Sequence, residues 1–241
     1  MIDTHAHLEM CEGPAEDVVA AAAAAGVSRI LTVGREQALG LAERFDSVWA
    51  IVGVHPHEAA EAGDVAAQLR PLLGHPRAVA VGECGLDYYR DYAPRDAQAR
   101  VFAAQVDLAN EVDLPLVIHT RAAEADTFAA LERARVPVLL HCFSSVAWLE
   151  EAIERGYYLS FAGNVAYPKA DDLRAAAAQA PEDRILAETD SPYLAPPPHR
   201  GSANQPAYVA LTLDVLAHVR GVEPAALAAQ IDWNADRLFG L

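Results

Sequence analysis

The feature that most constrains this chain is an alternation. Short apolar, β-branched runs recur along its 241 residues, separated by longer stretches of helical periodicity. The runs fall at residues 1–5, 29–34, 48–54, 78–83, 114–119, 136–141, 157–161 and 184–188. Helical patterns include 15–25, 95–112, 122–134, 146–155 and 171–179, with 206–219 and 224–238 after the last run. Strands that alternate with helices predict a parallel sheet, because each crossover must return the chain to the same edge. Eight such units close naturally into an α/β fold of the (β/α)8 TIM-barrel type, here with C-terminal helices after the last strand. An open doubly wound sheet is the alternative, and it is disfavoured because no G-x-G-x-x-G turn follows the first run. No linker or charge block divides the chain, so residues 1–241 read as one barrel domain.

Composition narrows the function classes. With 53% apolar residues the chain has ample core, which excludes disorder as its main state. A formal charge of −16 repels polyanions at long range and argues against non-specific nucleic-acid coating. It leaves open an enzyme whose bound cations reverse the sign locally. Three widely spaced cysteines without a C-x-x-C pair fit a reducing cytoplasm rather than a disulfide framework. No apolar run approaches the length of a membrane span, and the first residues already resemble functional strand, so a cytoplasmic location without a targeting segment is expected.

The histidines carry the chemistry. Of nine, six (His5, His7, His55, His57, His119 and His141) fall at or just beyond the C-terminal end of an expected strand. If such positions number about 20, random scatter would put roughly one histidine there, and in a barrel those ends converge on the face where active sites are built. His5-Ala6-His7 is the sharpest signal. In a strand, positions i and i+2 share a side, so both imidazoles can reach one ion, with Asp3 on the same face. Glu83 and Asp190 end or follow the fourth and eighth strands and can complete a site with His119 and His141. The bland reading pairs both carboxylates with Arg90, Arg121 or Arg200.

Six ligands exceed one tetrahedral ion with an open position and divide sensibly between two ions about 3.5–4 Å apart. The mixed nitrogen and oxygen donors favour zinc, manganese or iron over magnesium, and zinc, manganese and magnesium are the ions to test. Cys84 and Cys142 each follow a ligand candidate, so alternation turns them toward the helices as small core hydrophobes. His75 and His218 read as surface or core residues, and His199 is a weaker candidate for the site wall.

Asp3-Thr4-His5-Ala6-His7, Gly53-Val54-His55-Pro56-His57 and Gly82-Glu83-Cys84-Gly85-Leu86-Asp87-Tyr88 together resemble the TatD family of metal-dependent deoxyribonucleases. So do the segments 114–121, His141-Cys142-Phe143-Ser144 and 188–193, in order and over nearly the whole chain. The resemblance implies an amidohydrolase-like barrel with two divalent ions, the first held by His5, His7, Glu83 and Asp190, the second by Glu83, His119 and His141. It implies hydrolysis of DNA by a metal-activated water, often as a 3′→5′ exonuclease on single strands or 3′ ends, with no obligatory protein partner. Asp190 is then the proton acceptor. His55 and His57 are candidates for contacting phosphate or protonating the leaving oxygen, against a structural role. Arg121 is a candidate phosphate clamp, against an ion pair with Glu83 or Glu124, and Tyr88, Tyr89 and Tyr92 either stack on a base or pack as a lid.

The chain departs from the family pattern in two places. Ser145 stands where glycine is usual, and residues 201–206 read Gly-Ser-Ala-Asn-Gln-Pro where a basic residue and Asn-Glu-Pro are usual. The acidic charge and this altered loop make a small-molecule amidohydrolase or phosphoesterase on the same barrel the competing expectation.

Overall fold

Apolar runs buried on both faces make the strands, which is why they read as near-continuous hydrophobic segments rather than alternating ones. In the computed structural model, which describes residues 1–241, they are β1 (Ile2–Ala6), β2 (Arg29–Gly34), β3 (Val48–Val52) and β4 (Ala78–Asp87), then β5 (Leu116–Arg121), β6 (Val138–Leu140), β7 (Tyr158–Phe161) and β8 (Ile185–Ala187). All pair in parallel and in chain order. The seam between β1 and β8 is carried by residues just past β8: Ala6 bridges Ser191, the Asp190 N–H donates to the His5 carbonyl at 2.9 Å and the His7 N–H to the Ser191 carbonyl at 2.7 Å. The result is a nearly closed (β/α)8 barrel, as the alternation predicts.

The intervening helices are α1 (Ala15–Ala24), α2 (Glu36–Arg44), α3 (Val65–Leu73), α4 (Arg95–Val112), α5 (Glu124–Ala130), α6 (Leu149–Glu154) and α7 (Asp171–Gln179). After β8 come α8 (Val209–Arg220) and α9 (Pro224–Phe239). The helical patterns in the sequence do not include α2 and α3. α2 carries Gly40 in its middle and α3 contains Pro71, and both residues interrupt a helical pattern. A continuous core of 69 buried residues fills the barrel and the helix–sheet layer, with Phe102, Phe128 and Phe161 among its largest members. Full burial of one such side chain contributes roughly 1.5–3 kcal/mol.

β4 extends four residues beyond the expected end at Glu83. Its register against β5 slips there: Gly82 pairs with Val117 and Cys84 with Ile118, leaving Glu83 as the extra, bulged residue. Glycine makes this possible. A Cβ on Gly85 would lie 1.9 Å from the His119 carbonyl oxygen, and one on Gly82 would lie 2.5 Å from that of Val117. Backbones this close hold Glu83 and His119 on adjacent strands at the mouth.

Candidate metal centre

Every ligand candidate reaches the C-terminal mouth of the barrel from a strand or strand end. His5 lies in β1 with His7 just past it, Glu83 is the bulge of β4, and His119 lies in β5. His141 follows β6 and Asp190 follows β8. Cys142 and Asp190 take left-handed backbone at φ +45° and +54°, a conformation that turns the chain sharply where it leaves the barrel. His55 and His57 follow β3.

Glu83 is the hub. Its Oε1 lies 2.8 Å from His119 Nδ1, 2.9 Å from His141 Nε2 and 3.5 Å from His55 Nε2. Its Oε2 lies 3.3 Å from His5 Nε2 and 3.7 Å from His7 Nε2. Asp190 Oδ1 faces His7 Nε2 at 3.5 Å and His5 Nε2 at 3.9 Å. None of the arginines named as alternative partners reaches Glu83. Arg121 packs over the Tyr89 ring at 4.2 Å, and Glu124 accepts from the Ser145 hydroxyl at 2.7 Å instead.

Charges in this cluster perturb one another strongly. Burial opposes ionisation of Glu83, but His141 and His55, with hydrogen bonds from His119 and His141, hold its carboxyl well below the usual range. Burial likewise disfavours a charged His141, yet Glu83 and Glu188 raise its pKa well above that of free imidazole. His7 and His119 are raised against burial by Asp190 and Asp87 respectively, each aided by Glu83. Asp190 is lowered against burial, chiefly by His7. His5 goes the other way: burial and the neighbouring His141, stacked on it at 3.9 Å, keep it neutral.

A cation fits this arrangement. His5 is fully buried, and neither of its ring nitrogens has a hydrogen-bond partner. A neutral imidazole left without partners in a dry site is costly, and a metal ion at its lone pair supplies the compensation. Three groups have donor atoms within 4.8 Å of one another: His5, His7 and Asp190; His5, Glu83 and His141; and His55, Glu83 and His119. They share His5 or Glu83 and so form one continuous arc. The third group includes His55, which the sequence reading leaves outside the ligand set.

Several participants escape the sequence reading. Asp87, fully buried, takes His57 Nε2 at 2.8 Å and His119 Nε2 at 3.2 Å on the same Oδ2. Glu188 accepts from the Cys142 N–H at 2.9 Å and faces His141 Nδ1 at 3.0 Å, orienting that ring. Both lie in the motifs quoted above, and the signal that finds them is a carboxylate next to a strand end that also carries a metal-ligand candidate. Asn204, in the altered loop, donates from Nδ2 to the carbonyls of Thr189 at 2.8 Å and Tyr193 at 2.7 Å, pinning the turn that carries Asp190. His199 stacks flat on Tyr208 at 3.9 Å, and Tyr88 donates to Asp126 at 2.8 Å, so that tyrosine packs locally. Cys84 is buried in the core. No helix is long and apolar enough to cross a membrane.

A parallel barrel whose strand ends bring imidazoles and carboxylates together defines the metal-dependent hydrolases of this fold. Comparison with known proteins gives the family. The sequence pattern described as "TatD related DNase" matches residues 2–240, and the chain belongs to that family of metal-dependent hydrolases. It is 36% identical to the uncharacterized metal-dependent hydrolase YabD of Bacillus subtilis, covering 99% of this chain and 98% of that protein. It is 37% identical to the 3′-5′ ssDNA/RNA exonuclease TatD of Citrobacter rodentium, over 94% of this chain and 92% of that protein. The crystal structure of YJJV, a TatD homologue from Escherichia coli K12, superposes with a TM-score of 0.94 at 30% identity, covering 100% of this chain and 98% of that one.

Proposed function

We propose that the protein is a nuclease that shortens single-stranded DNA, and RNA where offered, from the 3′ end, using two divalent ions. The observation that carries this reading is Glu83, whose two oxygens face five imidazoles at the mouth of the barrel. His5, His7, Glu83 and Asp190 would hold one ion and Glu83, His119 and His141 the other, with zinc, manganese or magnesium as the candidates. Such ions acidify water and neutralise charge on a phosphoryl group.

The chain's own residues do the rest. Asp190, whose carboxyl burial would raise but His7 holds below the usual range, is the carboxylate that accepts a proton. His57 donates from Nε2 to Asp87 Oδ2, which fixes its ring beside the cluster, while His55 accepts the His57 backbone N–H on Nδ1 at 3.1 Å and turns Nε2 toward Glu83. These two rings remain the candidates for contacting phosphate or protonating the leaving oxygen. Arg121, exposed at the end of β5, is free of carboxylate pairing to clamp a phosphate. The relatives named as exonucleases and the guanidiniums at the mouth support a nucleic-acid substrate despite the overall charge of −16. The free thiols accord with action in the cytoplasm.

The test strips the protein with chelator and reloads it with each metal. It is then offered 3′-labelled and 5′-labelled oligonucleotides beside small phosphate esters and N-acyl amino acids. Stepwise shortening from the 3′ end is the expected result. Turnover of a small ester or amide with intact DNA under every metal would replace this reading with the small-molecule hydrolase, which the acidic surface favours.

A further inference from the structure

The strand order puts the segments after β4 and β8 on opposite sides of the mouth, four strands apart in a ring of eight. Each segment carries a tyrosine that stands in solvent while touching the cluster. Tyr92, 66% exposed, meets His57 edge to face at 4.8 Å; Tyr193, 48% exposed, meets His7 in the same manner at 5.9 Å. Between them runs a chain of imidazoles: His57 to His119 at 6.1 Å, His119 to His141 at 5.8 Å, His141 to His5 at 3.9 Å and His5 to His7 at 5.2 Å. The two tyrosines therefore bracket the cluster from opposite walls. Each leaves an aromatic surface in water beside the reacting position, where a flat ring from a ligand can cover it.

The walls differ in charge. On the β4 side Tyr89, 65% exposed, has Arg121 over its ring at 4.2 Å and Arg90 at 5.9 Å. On the β8 side the Tyr193 hydroxyl points to Met10 Sδ at 3.8 Å, and Met10, 50% exposed, follows the exposed Glu9 in one short turn. Arg200, the arginine of the loop after β8, packs over Tyr167 instead. One wall thus offers guanidiniums and aromatic faces, and the other an aromatic face and a thioether beside a carboxylate.

Building on the nuclease reading above, we propose that the Tyr89–Tyr92 wall, with Arg90 and Arg121, holds the body of a single strand, while Tyr193 and Met10 stack on its terminal unpaired base. The body of the strand carries a phosphate at every step and needs cations; base stacking on aromatic faces is tolerant of sequence. The terminal nucleoside brings no further phosphate, so it fits the Tyr193–Met10 face, over which no guanidinium is stacked. A strand continuing past Tyr193 would run its next phosphate toward Glu9, which selects ends over interior positions.

The experiment uses the metal-loaded enzyme and two oligonucleotides that differ only in whether the terminal nucleotide keeps its base or is abasic. The wild-type protein should prefer the intact end by about 5–150-fold in kcat/KM, the value of one stacked base. Tyr193→Ala should abolish that preference, Tyr193→Phe should retain it, and Tyr92→Ala should weaken both substrates alike. Replacing Arg90 and Arg121 by alanine should flatten the slope of log KM against log salt by about 0.7 for each phosphate no longer neutralised. A Tyr193→Ala enzyme that still discriminates as the wild type does, or an unchanged salt slope, overturns the assignment while leaving the nuclease intact. A wild-type enzyme that shortens no strand under any metal overturns the nuclease reading, and this assignment falls with it.

Discussion

Asp3 and Thr189, 186 residues apart, lock the first strand of the barrel to the turn that follows its last strand. The Thr189 hydroxyl donates to Asp3 Oδ2 at 2.6 Å and the Thr189 N–H to Oδ1 at 2.9 Å, with the His5 N–H at 3.4 Å. Burial pushes the Asp3 carboxyl up to about 8, with both Thr189 donors opposing the rise. The pair ties the strand that carries His5 to the turn that carries Asp190 and so sets the spacing of those two side chains. Asp3→Ala strands buried donors and should cost roughly 1–3 kcal/mol for each N–H or O–H left unpaired. Thermal denaturation measures that loss; an unchanged midpoint would show that Ser191 or water takes over the acceptor role.

Glu83→Gln keeps the shape of the hub and removes its charge. Since the carboxylate faces five imidazoles, the variant should bind less metal, and its activity should fall at least about 100-fold. Elemental analysis and rate should drop together. Full metal content with full activity would remove Glu83 from any bridging role.

In the cation-free protein, positive charge is supplied by protons. Burial works against it, yet His141 is raised well above the ordinary imidazole value by Glu83 and Glu188, and His7 and His119 are raised as well. An arriving cation must expel protons from these rings, so binding at pH 7 should release them. Lowering the pH fills the rings further and weakens binding, by at least about 100-fold from pH 8 to pH 6, tenfold per pH unit for each proton displaced. Calorimetry in buffers of different ionisation heat reads the release directly. Proton uptake, or affinity flat with pH, would contradict the sign.

Gly85→Ala tests the close approach of β4 and β5. The added Cβ would lie 1.9 Å from the His119 carbonyl oxygen, a backbone atom that cannot swing aside, and φ at Gly85 is +142°. The strands must part, moving His119 from Glu83 Oε1. Loss of metal together with at least about 2 kcal/mol of stability is expected. Retained metal and stability would mean that the bulge relaxes without disturbing the site.

Much of this architecture is legible from residue order. Alternating periods, buried strands and histidines at strand ends all follow from local chemistry that any window of the sequence displays. Helices α2 and α3 do not, because Gly40 and Pro71 break their helical patterns. The extension of β4 is hidden for a different reason: Glu83 breaks the alternation by bulging, so the pattern stops where the strand only kinks. Asp87 and Glu188 read as ordinary polar residues at strand ends, and only their contacts with His57, His119 and His141 show what they orient.

The sequence by itself determined which chain segments become strands and which polar residues stand at their ends, since side-chain period and residue type are properties of short stretches. Tertiary structure alone decided the distances at which those residues meet, that His55 and Asp87 join the cluster around Glu83 and His119, and that Tyr92 and Tyr193 stand on opposite sides of the mouth. Closing the barrel brings strands four apart to opposite walls, and glycine lets two backbones approach closely enough to aim a bulged carboxylate at five rings. Distances of this kind depend on how strands pack around the ring, which no local pattern records.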